Sequence, residues 1–588
     1  MKLSDYVIDF LVSQGINHIF EVCGGSLAHL LDSLYGRKDI RTISMHHEMA
    51  AAIAAEGYSR VCEKGMGVAM ATSGPGATNL ITGIGSCFFD SIPCLFITGQ
   101  VNTYELKSDK LTRQIGFQET DIVNIVKPIT KKAELIMDEK RIRYCLEYAI
   151  HIAKYGRPGP VLLDLPLNIQ RATIEPTSLL SFDNIYNNQP DNVNRIDENV
   201  MDRAVELIKS SCRPIILAGG GVRLSKSKDE LLKLSHNTGI PVVTSLMGID
   251  AFPHDDPLFV GMIGTYGNRY ANLTIANSDL VIALGTRLDT RQTGTKPDTF
   301  ARGAKIIHVD IDPVELNNKI EVEHNINSDI KIFLCELNKR DFECNNINFW
   351  RDTIKSFKEK YPSFCIPTGE AIAPNYFMHI LSKHLPEDAI ICVDVGQNQM
   401  WAAQSLEIKS IQRFLTEGGM ASMGCALPMA IGASFAKTGK PIIVITGDGG
   451  FQLNIQELQT IYHHNLPIKI ILLNNACYGM VRQFQEQYFC GRCQSTVIGY
   501  SSPDFQKVVR AYKISSTKIT CNDEITGALE ILFSDTQPRF LEVRIEGDFK
   551  VIPKLSVNRP IEDQEPLLSR HELASNMLID ILPEPENI

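Results

Sequence analysis

The chain has 588 residues, a length that exceeds a single hydrophobic core and is typical of three or four domains. Hydrophobic residues make up 44% and charged residues 21%, as in ordinary globular proteins. The net charge of −10 is spread along the chain, which argues against a nucleic-acid partner. No apolar run reaches the roughly 18 residues that a membrane helix needs, so no membrane-spanning segment is expected.

Cysteine usage and the start of the chain point to the same compartment. The fifteen cysteines are scattered, and only Cys490 and Cys493 form a C-x-x-C pair. A zinc site would need a second ligand pair, so reduced thiols in a cytoplasmic protein are the better interpretation. Residues 1–11 carry Asp5 and Asp9 within an apolar pattern, which predicts an amphipathic helix of the folded domain rather than a signal peptide.

Short apolar runs separated by helical stretches recur in three parts of the chain. Such runs are typical of buried parallel strands, and their alternation with helices predicts doubly wound α/β domains. The runs are residues 67–72, 94–98 and 160–165, then 214–217, 281–284 and 305–309, and then 390–395, 441–446, 468–473 and 540–545. The sequence therefore predicts three α/β domains, each built on a parallel sheet.

Composition places the boundaries between these units. The segment 181–197 is rich in Asn and Asp and is predicted to be a linker, and the charged segment 341–374 a second connection. The predicted domains are residues 1–175, 190–340 and 370–550, followed by a C-terminal tail, residues 551–588. The tail mixes prolines and acids with one short helical pattern and is expected to wrap the surface.

The most informative stretch is Gly447-Asp448-Gly449-Gly450, directly after an apolar run. The next run ends in Asn474-Asn475, so Asn475 follows Asp448 by 27 positions, the length of one strand–helix–strand unit. Both side chains would then emerge at the carboxyl edge of one sheet, where open α/β sheets bind ligands. A carboxylate and an amide oxygen suit Mg²⁺, while glycines and a helix N-terminus suit a diphosphate. A Gly-rich turn with a capping Asp is the structural alternative.

This motif resembles that of the thiamine diphosphate enzymes, which runs from GDG to a paired Asn. The resemblance implies that Asp448 and Asn475 bind Mg²⁺ through their side chains and Cys477 through its backbone carbonyl. It implies further contacts to the cofactor from both ends of the chain. These are Gly24, Gly25, Glu48, Asn79, Gln397, Met423, Gly447, Gly449, Gly450, Asn475, Gly479 and Met480.

A second half of the site is expected near the N-terminus. Thiamine chemistry needs one buried carboxylate beside the aminopyrimidine, and in the resemblance Glu48 is that group. The stretch from Ser73 to Asn79 (SGPGATN) supports this assignment. Because Glu48 and Asp448 belong to different α/β units, the cofactor must bridge two domains. In the family it bridges two subunits, so a homodimer or homotetramer is expected.

Over roughly residues 1–550 the chain looks like the acetolactate synthase large subunit. That resemblance makes pyruvate the donor and places Gln118, in a Phe-Gln-Glu motif, at the reacting carbon. Arg291 matches the arginine that holds the carboxylate of a ketoacid acceptor. The stretches 219–223, 285–294 and 310–312 resemble a flavin-binding surface, so FAD is expected in the middle domain. The reaction would transfer a two-carbon unit from pyruvate to a carbonyl acceptor.

Departures from that pattern leave the acceptor open. Residues 102–116 are about six residues longer than in typical synthases, Phe484 replaces a pocket Trp, and Thr265-Tyr266 replaces a Met-His pair. Cys23 stands where the family has Pro. Because loops carry specificity on a constant scaffold, these changes bear on the acceptor rather than on the cofactor.

The long loop and the tail segment 559–567 resemble a subgroup of surface-polysaccharide pathways. The better-understood member of that subgroup adds an acetyl unit to a nucleotide-linked keto-deoxysugar. Lys107, Lys110 and Arg113 would then meet nucleotide phosphates, and a solvated basic loop is the alternative. Two further alternatives are a 2-ketoacid decarboxylase or 2-hydroxyacyl lyase and a non-catalytic cofactor-binding protein. The lack of a His-His acid pair weighs against the decarboxylase, since His463-His464 lies on a predicted helix.

Overall fold

The computed structural model describes residues 1–108, 110–182 and 196–583. Three six-stranded sheets, all parallel, form the three α/β layers of the chain. The predicted fold class is therefore confirmed. The predicted linker falls largely on residues 183–195, which lie outside the described residues.

The N-terminal sheet has the strand order β2-β1-β3-β4-β6-β5. Its strands are β1 (His18–Val22), β2 (Arg41–Ser44), β3 (Gly67–Ala71), β4 (Cys94–Gln100), β5 (Lys132–Leu135) and β6 (Val161–Pro166). Its helices are Leu3–Ser13, Ala28–Leu34, Glu48–Val61, Pro75–Asn79, Ile81–Phe89, Ile122–Val126, Ile142–Lys154 and Leu167–Gln170. The first helix confirms the amphipathic helix predicted for residues 1–11, because its buried face includes Leu3, Val7 and Leu11.

The middle sheet has the order β12-β11-β10-β7-β8-β9. Its strands are β7 (Pro214–Ala218), β8 (Val242–Thr244), β9 (Phe259–Met262), β10 (Leu280–Leu284), β11 (Lys305–Asp310) and β12 (His324–Asn327). Its helices are Glu198–Ser210, Gly220–Leu224, Lys228–Thr238, Arg269–Asn277, Thr290–Thr293, Ile330–Leu337 and Ile347–Lys360. Counted from β7, this is the order 3-2-1-4-5-6 of dinucleotide-binding sheets.

The C-terminal sheet has the order β14-β13-β15-β16-β18-β17, which repeats the N-terminal topology strand for strand. Its strands are β13 (Ile390–Val393), β14 (Arg413–Leu415), β15 (Ile442–Gly447), β16 (Ile468–Asn474), β17 (Ser515–Ile519) and β18 (Arg539–Arg544). Its helices are Pro374–His384, Gln397–Ser405, Ala426–Ala436, Asp448–Leu453, Leu458–His463, Gly479–Tyr488, Phe505–Ala511 and Ile525–Leu532.

Each sheet has a point where the strand order reverses. These points lie between β1 and β3, between β7 and β10, and between β13 and β15. At such a point the two loops after neighbouring strands leave in opposite directions and open a crevice at the carboxyl edge. The fold therefore offers three crevices, and the predicted site residues can be placed against them.

The N- and C-terminal domains pack through two helices of small residues, Glu48–Val61 and Ala426–Ala436. A Cβ at Gly57 would lie 2.2 Å from the Met429 carbonyl oxygen, and one at Gly432 would lie 1.8 Å from that of Ala54. Only glycine permits this approach, and the contact joins both sheets in one hydrophobic core.

Two connections are more ordered than composition suggested. Within 341–374 the helix Ile347–Lys360 packs on the middle domain, where the buried Trp350 donates to the Pro214 carbonyl at 3.0 Å. In the tail, Ile561 and Gln564 are buried, and Glu562 pairs with Arg302 at 2.6 Å. Because these residues are buried and Glu562 pairs with Arg302 of the middle domain, the tail docks on that domain instead of only covering its surface.

Candidate active site

The C-terminal crevice brings together the residues predicted to bind metal. Asp448 follows β15 and begins the helix Asp448–Leu453, together with Gly449 and Gly450. Asn475 and Cys477 follow β16, which pairs with β15 along its length, so that Gly447 lies opposite Leu473. Asp448, Asn475 and Cys477 are all buried. The strand pairing thus places a carboxylate, an amide and a backbone carbonyl at one edge.

Three oxygens converge there. The Asn475 amide oxygen lies 3.2 Å from Asp448 Oδ1 and 2.9 Å from the Cys477 carbonyl oxygen. Magnesium binds oxygens at about 2.0–2.1 Å in an octahedron, so adjacent ligands are about 3 Å apart. None of these three oxygens carries a proton that it could donate to another, so their spacing fits a divalent cation bound between them. Among the described residues no group of three or more His, Cys, Asp or Glu side chains could hold a metal, so this mixed oxygen set is the candidate centre.

A relay of amides determines which way Asn475 faces. Gln397 Nε2 donates to the Phe549 carbonyl at 3.3 Å, so its Oε1 points the other way and accepts from Asn475 Nδ2 at 2.8 Å. The Asn475 oxygen must then face Asp448 and Cys477. Turning the amide would place its oxygen against Gln397 Oε1. Gln397, predicted as a cofactor contact, therefore orients the side-chain amide of Asn475, which is a predicted metal ligand.

This relay needs a glycine at position 479. A Cβ at Gly479 would lie 1.9 Å from Gln397 Oε1 and 2.8 Å from Asn475 Nδ2. We expect Gly479→Ala to displace Gln397, release the Asn475 amide and weaken Mg²⁺ binding by about 10–100-fold, the usual cost of losing an orienting partner. Titration of the purified protein with Mg²⁺ in a calorimeter measures this. The matched control is Gly527→Ala, where the added Cβ meets open space, and equal losses in both variants would contradict the relay.

Tyr500 is a part of this centre that sequence reasoning missed. Its hydroxyl donates to Asp448 Oδ2 at 2.7 Å, and its ring lies edge-on to Tyr478 at 4.7 Å. Burial raises the pKa of Asp448 to about 6, and the Tyr500 bond partly offsets that rise. Tyr500 occupies one carboxylate oxygen and leaves the other for a metal. Its position in a loop 52 residues after Asp448 gives no sequence signal.

The predicted Met423 and Met480 lie beside this centre. A Cβ at Gly449 would lie 3.3 Å from the Met423 methyl carbon. Met423 belongs to the segment 418–424, in which Ala421 has a φ of 57°, a strained value for a residue with a Cβ. Both methionines line a cleft of about 2370 Å³ that also has walls from the N-terminal and middle domains.

The N-terminal crevice holds Glu48. It is the first residue of its helix, is half-buried, and accepts a hydrogen bond from Asn79 Nδ2 at 2.9 Å. Gly24 and Gly25 follow β1, next to Ser26, whose hydroxyl bonds that of Thr72 at 2.8 Å. The loops after β1 and β3 thus meet beside the Glu48 carboxylate, as the predicted pyrimidine site requires.

Gln118 lies at the same edge, in the loop after β4. Its φ is 64°, and its Cβ lies 3.0 Å from the place of a Cβ at Gly74. The neighbouring Glu119 is buried and accepts the backbone N–H groups of Lys107 at 2.5 Å and Ile115 at 2.8 Å. By accepting both N–H groups, the Glu119 carboxylate joins two parts of the long loop 102–116. The sequence did not reveal this role.

Arg291 comes from the middle domain. It lies on the short helix Thr290–Thr293 after β10, with its guanidinium 5.6 Å from the centre of the Tyr266 ring. It is exposed and lines the cleft shared with Met423 and Met480. Glu48, Asn79 and Gln118 do not line this cleft within the described chain. Asp448 and Asn475 do not line it either, so the predicted site residues are found as one group in the N-terminal crevice and one in the C-terminal crevice, with Arg291, Met423 and Met480 on the cleft.

Comparisons with known proteins decide the family. Three family models match in chain order: the N-terminal TPP binding domain of thiamine pyrophosphate enzymes over residues 1–125, the central domain over 201–337 and the C-terminal TPP binding domain over 394–543. The chain belongs to the thiamine pyrophosphate enzyme family. Glu48, Asn79 and Gln118 lie in its N-terminal domain, Asp448, Asn475 and Cys477 in its C-terminal domain, and Arg291 in its central domain.

Within this family the chain is related to acetolactate synthases. It is 36% identical to acetolactate synthase 2, chloroplastic, of Nicotiana tabacum, over 96% of this chain and 85% of that protein. It is 37% identical to the acetolactate synthase large subunit of Cyanidium caldarium, over 94% of each. It is 35% identical to the chloroplastic enzyme of Arabidopsis thaliana, over 94% of this chain and 83% of that protein. Among the described helices, none is long and apolar enough to cross a membrane.

Proposed function

We propose that this enzyme decarboxylates pyruvate and transfers the remaining two-carbon unit to a carbonyl acceptor, with thiamine diphosphate and Mg²⁺ bound. The observation that carries the proposal is the oxygen set of Asp448, Asn475 and Cys477, which fits a hydrated divalent cation holding a diphosphate. When bound, thiamine diphosphate supplies an electron sink for a carbon next to a carbonyl. The residues of the chain hold, orient and shield it.

Glu48 is the acid–base group of this proposal. Its Oε2 accepts from Asn79, which fixes the carboxylate while leaving Oε1 for a ligand nitrogen. Gln118 lies at the same edge and faces the donor. Met423 and Met480 supply the apolar wall that excludes water from the reacting carbon.

Two copies of the chain would complete the site. Glu48 and Gln118 lie in the N-terminal domain and Asp448 in the C-terminal domain, and none of the three lines the cleft that Met423 and Met480 line. Large apolar side chains are exposed near both groups, including Phe117 at 85% and Val481 at 53%. A homodimer that faces the N-terminal crevice of one copy towards the C-terminal crevice of the other would cover these surfaces and assemble the site.

A flavin in the middle domain fits the topology. The strand order 3-2-1-4-5-6 is that of dinucleotide-binding sheets, which bind their ligand where β7 and β10 separate. Gly220, Gly221, Gly285 and Thr286 line the cleft at that point. We therefore propose FAD as a further ligand, with its diphosphate near these glycines.

Two acceptors remain in competition, each with its own support. Arg291 is exposed in the cleft and stacks on Tyr266, a geometry that suits the carboxylate of a second ketoacid. Lys110 and Arg113 are exposed on the loop closed by Glu119, and they have no ion pair with the described residues. That loop suits the phosphates of a nucleotide-linked keto-deoxysugar.

We expect variants of these two regions to separate the acceptors. If the acceptor is a ketoacid, Arg291→Lys should cost about 1–3 kcal/mol in carbon–carbon bond formation, since a point charge cannot replace the planar fork. Neutralising Lys107, Lys110 and Arg113 together should then change little. If the acceptor is a nucleotide sugar, the triple variant should weaken its binding in a salt-dependent way.

The assay follows pyruvate consumption and product mass with each acceptor in turn. Consumption without an acceptor should change much less than product formation in either variant, because both regions lie apart from Glu48. A matched surface control replaces Lys339, Lys355 and Lys507, whose side chains are 67–84% exposed. If neither variant alters product formation, the proposed acceptor sites are wrong.

A further inference from the structure

A cluster of charged side chains is buried between the N- and C-terminal domains. Glu56 and Arg60 come from the helix Glu48–Val61, Asp90 follows the helix Ile81–Phe89, and Glu417 follows β14. Arg60 Nη2 lies 2.5 Å from Glu56 Oε1 and 2.8 Å from Asp90 Oδ2. Glu56 and Glu417 are fully buried, and the Arg60 side chain is 8% exposed. Two carboxyl groups thus pair with one guanidinium, and a third, that of Glu417, is buried near them.

The charges still do not balance when the surroundings are included. Arg413 donates to the Arg60 carbonyl at 3.1 Å and pairs with Asp250 at 2.7 Å, and Arg223 lies 3.6 Å from the same carboxylate. With Arg60 and the Lys228 ammonium group, which interacts with Asp250, these are four cationic groups. Glu56, Asp90, Asp250, Glu417 and Asp229, which interacts with Arg223, are five carboxyl groups. Buried charge without a counter-ion is costly, so the cluster is expected to hold one proton.

Glu417 is the carboxyl group that lacks a cation. Glu56 and Asp90 both contact Arg60, and Asp250 contacts Arg413, whereas Glu417 has no ion pair with the described residues and accepts the backbone N–H of Ser422 at 2.8 Å. Glu417 Oε1 and Glu56 Oε2 are buried and have no hydrogen-bond partner among the described residues. Burial, followed by the negative charges of Glu56 and Asp90, raises the pKa of Glu417 well above its usual range.

The loop after Glu417 depends on this cluster. The N–H groups of Gly418 and Gly419 donate to Asp90 at 3.2 and 2.8 Å, and that of Gly424 donates to Asp394 at 2.8 Å. Every one of these acceptors is a buried carboxylate. The segment 418–424 carries Met423, so the cluster holds the methionine that lies beside Gly449 in the cofactor crevice.

We propose that Glu417 is a buried neutral carboxylic acid, and that its bond with the Ser422 N–H positions segment 418–424 and Met423 against the N-terminal domain. A neutral acid keeps the acceptor oxygen that this bond needs and avoids a buried charge without a counter-ion. Glu417 would then be a positioning residue. The protonation state of Glu417 does not depend on the proposed reaction. The expected effect of Glu417 on cofactor affinity rests on the function proposed above.

Other groups that face Glu417 and Glu56 can be distinguished from them. The hydroxyl of Ser86 interacts with the Glu56 carboxyl group and that of Ser422 with the Glu417 carboxyl group. Burial raises the pKa of the Cys87 and Cys425 thiols well above their usual range, so they stay neutral. Burial also raises the pKa of Asp394 to about 6. Because Asp394 is present in the wild type and in the variants, its titration affects their stabilities equally and does not alter the comparison.

The sign of the pH effect follows from the raised pKa. A carboxyl group whose folded pKa exceeds its unfolded value contributes stability that is fully present below the unfolded pKa and is lost as pH rises towards the folded pKa. Between the ordinary pKa of 4.5 and the raised pKa of the folded state, the folding equilibrium constant of the wild type should fall about tenfold per pH unit relative to that of Glu417→Gln. The amide cannot titrate, but its oxygen can still accept the Ser422 N–H.

The decisive experiment compares wild type, Glu417→Gln and Glu417→Ala. Infrared difference spectra at neutral pH should show a protonated-carboxyl stretch in wild type that both variants lack, and the melting temperature of Glu417→Gln should rise relative to wild type as pH rises. Glu359→Gln, at a side chain 69% exposed, is the control. An unchanged carboxyl band in Glu417→Gln would overturn the proton assignment.

Cofactor affinity tests the positioning role separately. Glu417→Gln should keep thiamine diphosphate affinity within about threefold, and Glu417→Ala should lose about tenfold or more, the range seen when an orienting partner is removed. Equal affinity in both variants would overturn the positioning role even where the carboxyl band is lost. Asp448→Ala is the reference variant, because it should lose thiamine diphosphate binding while keeping the protonated-carboxyl band.

Discussion

Replacing Glu48 by Gln is expected to abolish turnover while leaving thiamine diphosphate affinity within about tenfold, or about 1.4 kcal/mol. The carboxylate acts on the proton balance of the aminopyrimidine, whereas binding energy comes mostly from the diphosphate and the metal. Gln keeps the size and can still accept from Asn79 through its oxygen. Steady-state pyruvate consumption and calorimetric cofactor binding measure the two effects.

Two controls bracket this result. Glu206→Gln changes a side chain that is 69% exposed in the middle domain and should behave as wild type. Asn79→Ala removes the orienting bond but keeps the carboxylate, so it should reduce turnover by less, about 10–100-fold. Near-wild-type activity of Glu48→Gln would remove Glu48 from the mechanism.

Replacing Asp448 by Ala is expected to abolish binding of both metal and cofactor. The substitution removes the anionic ligand from the three oxygens and leaves the diphosphate charge poorly neutralised. The loss should exceed the roughly 100-fold that orienting partners contribute. Calorimetry of Mg²⁺ and thiamine diphosphate binding measures it, and retained metal-dependent binding would contradict the assignment.

Tyr500→Phe is the matched control for Asp448. It removes only the hydroxyl on Asp448 Oδ2, so it should weaken metal binding by about tenfold and leave the ligand set intact.

Mixing Glu48→Gln with Asp448→Ala after subunit exchange adds a test of the dimer. If each site takes Glu48 from one copy and Asp448 from the other, mixed dimers hold one intact site and regain activity. Failure of exchanged dimers to do so would contradict the shared site.

The sequence predicted most of the central strands and missed the edge strands, together with β1 and β8 inside their sheets. β3, β4, β15 and β16 are buried on both faces and therefore read as continuous apolar runs. Edge strands have one neighbour and accept polar residues, as in β2, β12 and β17, so their pattern is weak. The helix Ile347–Lys360 was missed for a related reason, because its charged face hid the buried Trp350.

The same contrast holds for the candidate site. The meeting of Asp448 and Asn475 could be predicted because each directly follows one of two neighbouring parallel strands. Tyr500 and Glu417 could not, since their partners come from loops or another domain and follow no spacing rule. The orientation of Asn475 depends on Gln397, which lies 78 positions away. Such contacts are set by packing rather than by local pattern.

The central claim is that the chain joins two carbons of pyruvate to a carbonyl acceptor. Its most direct test incubates the purified enzyme with thiamine diphosphate, Mg²⁺ and isotope-labelled pyruvate, with and without a nucleotide-linked keto-deoxysugar, and identifies the products by mass. We expect a labelled carbon–carbon product that disappears without Mg²⁺ or in Glu48→Gln. Release of labelled acetaldehyde alone, or no consumption of pyruvate, would contradict the proposed function.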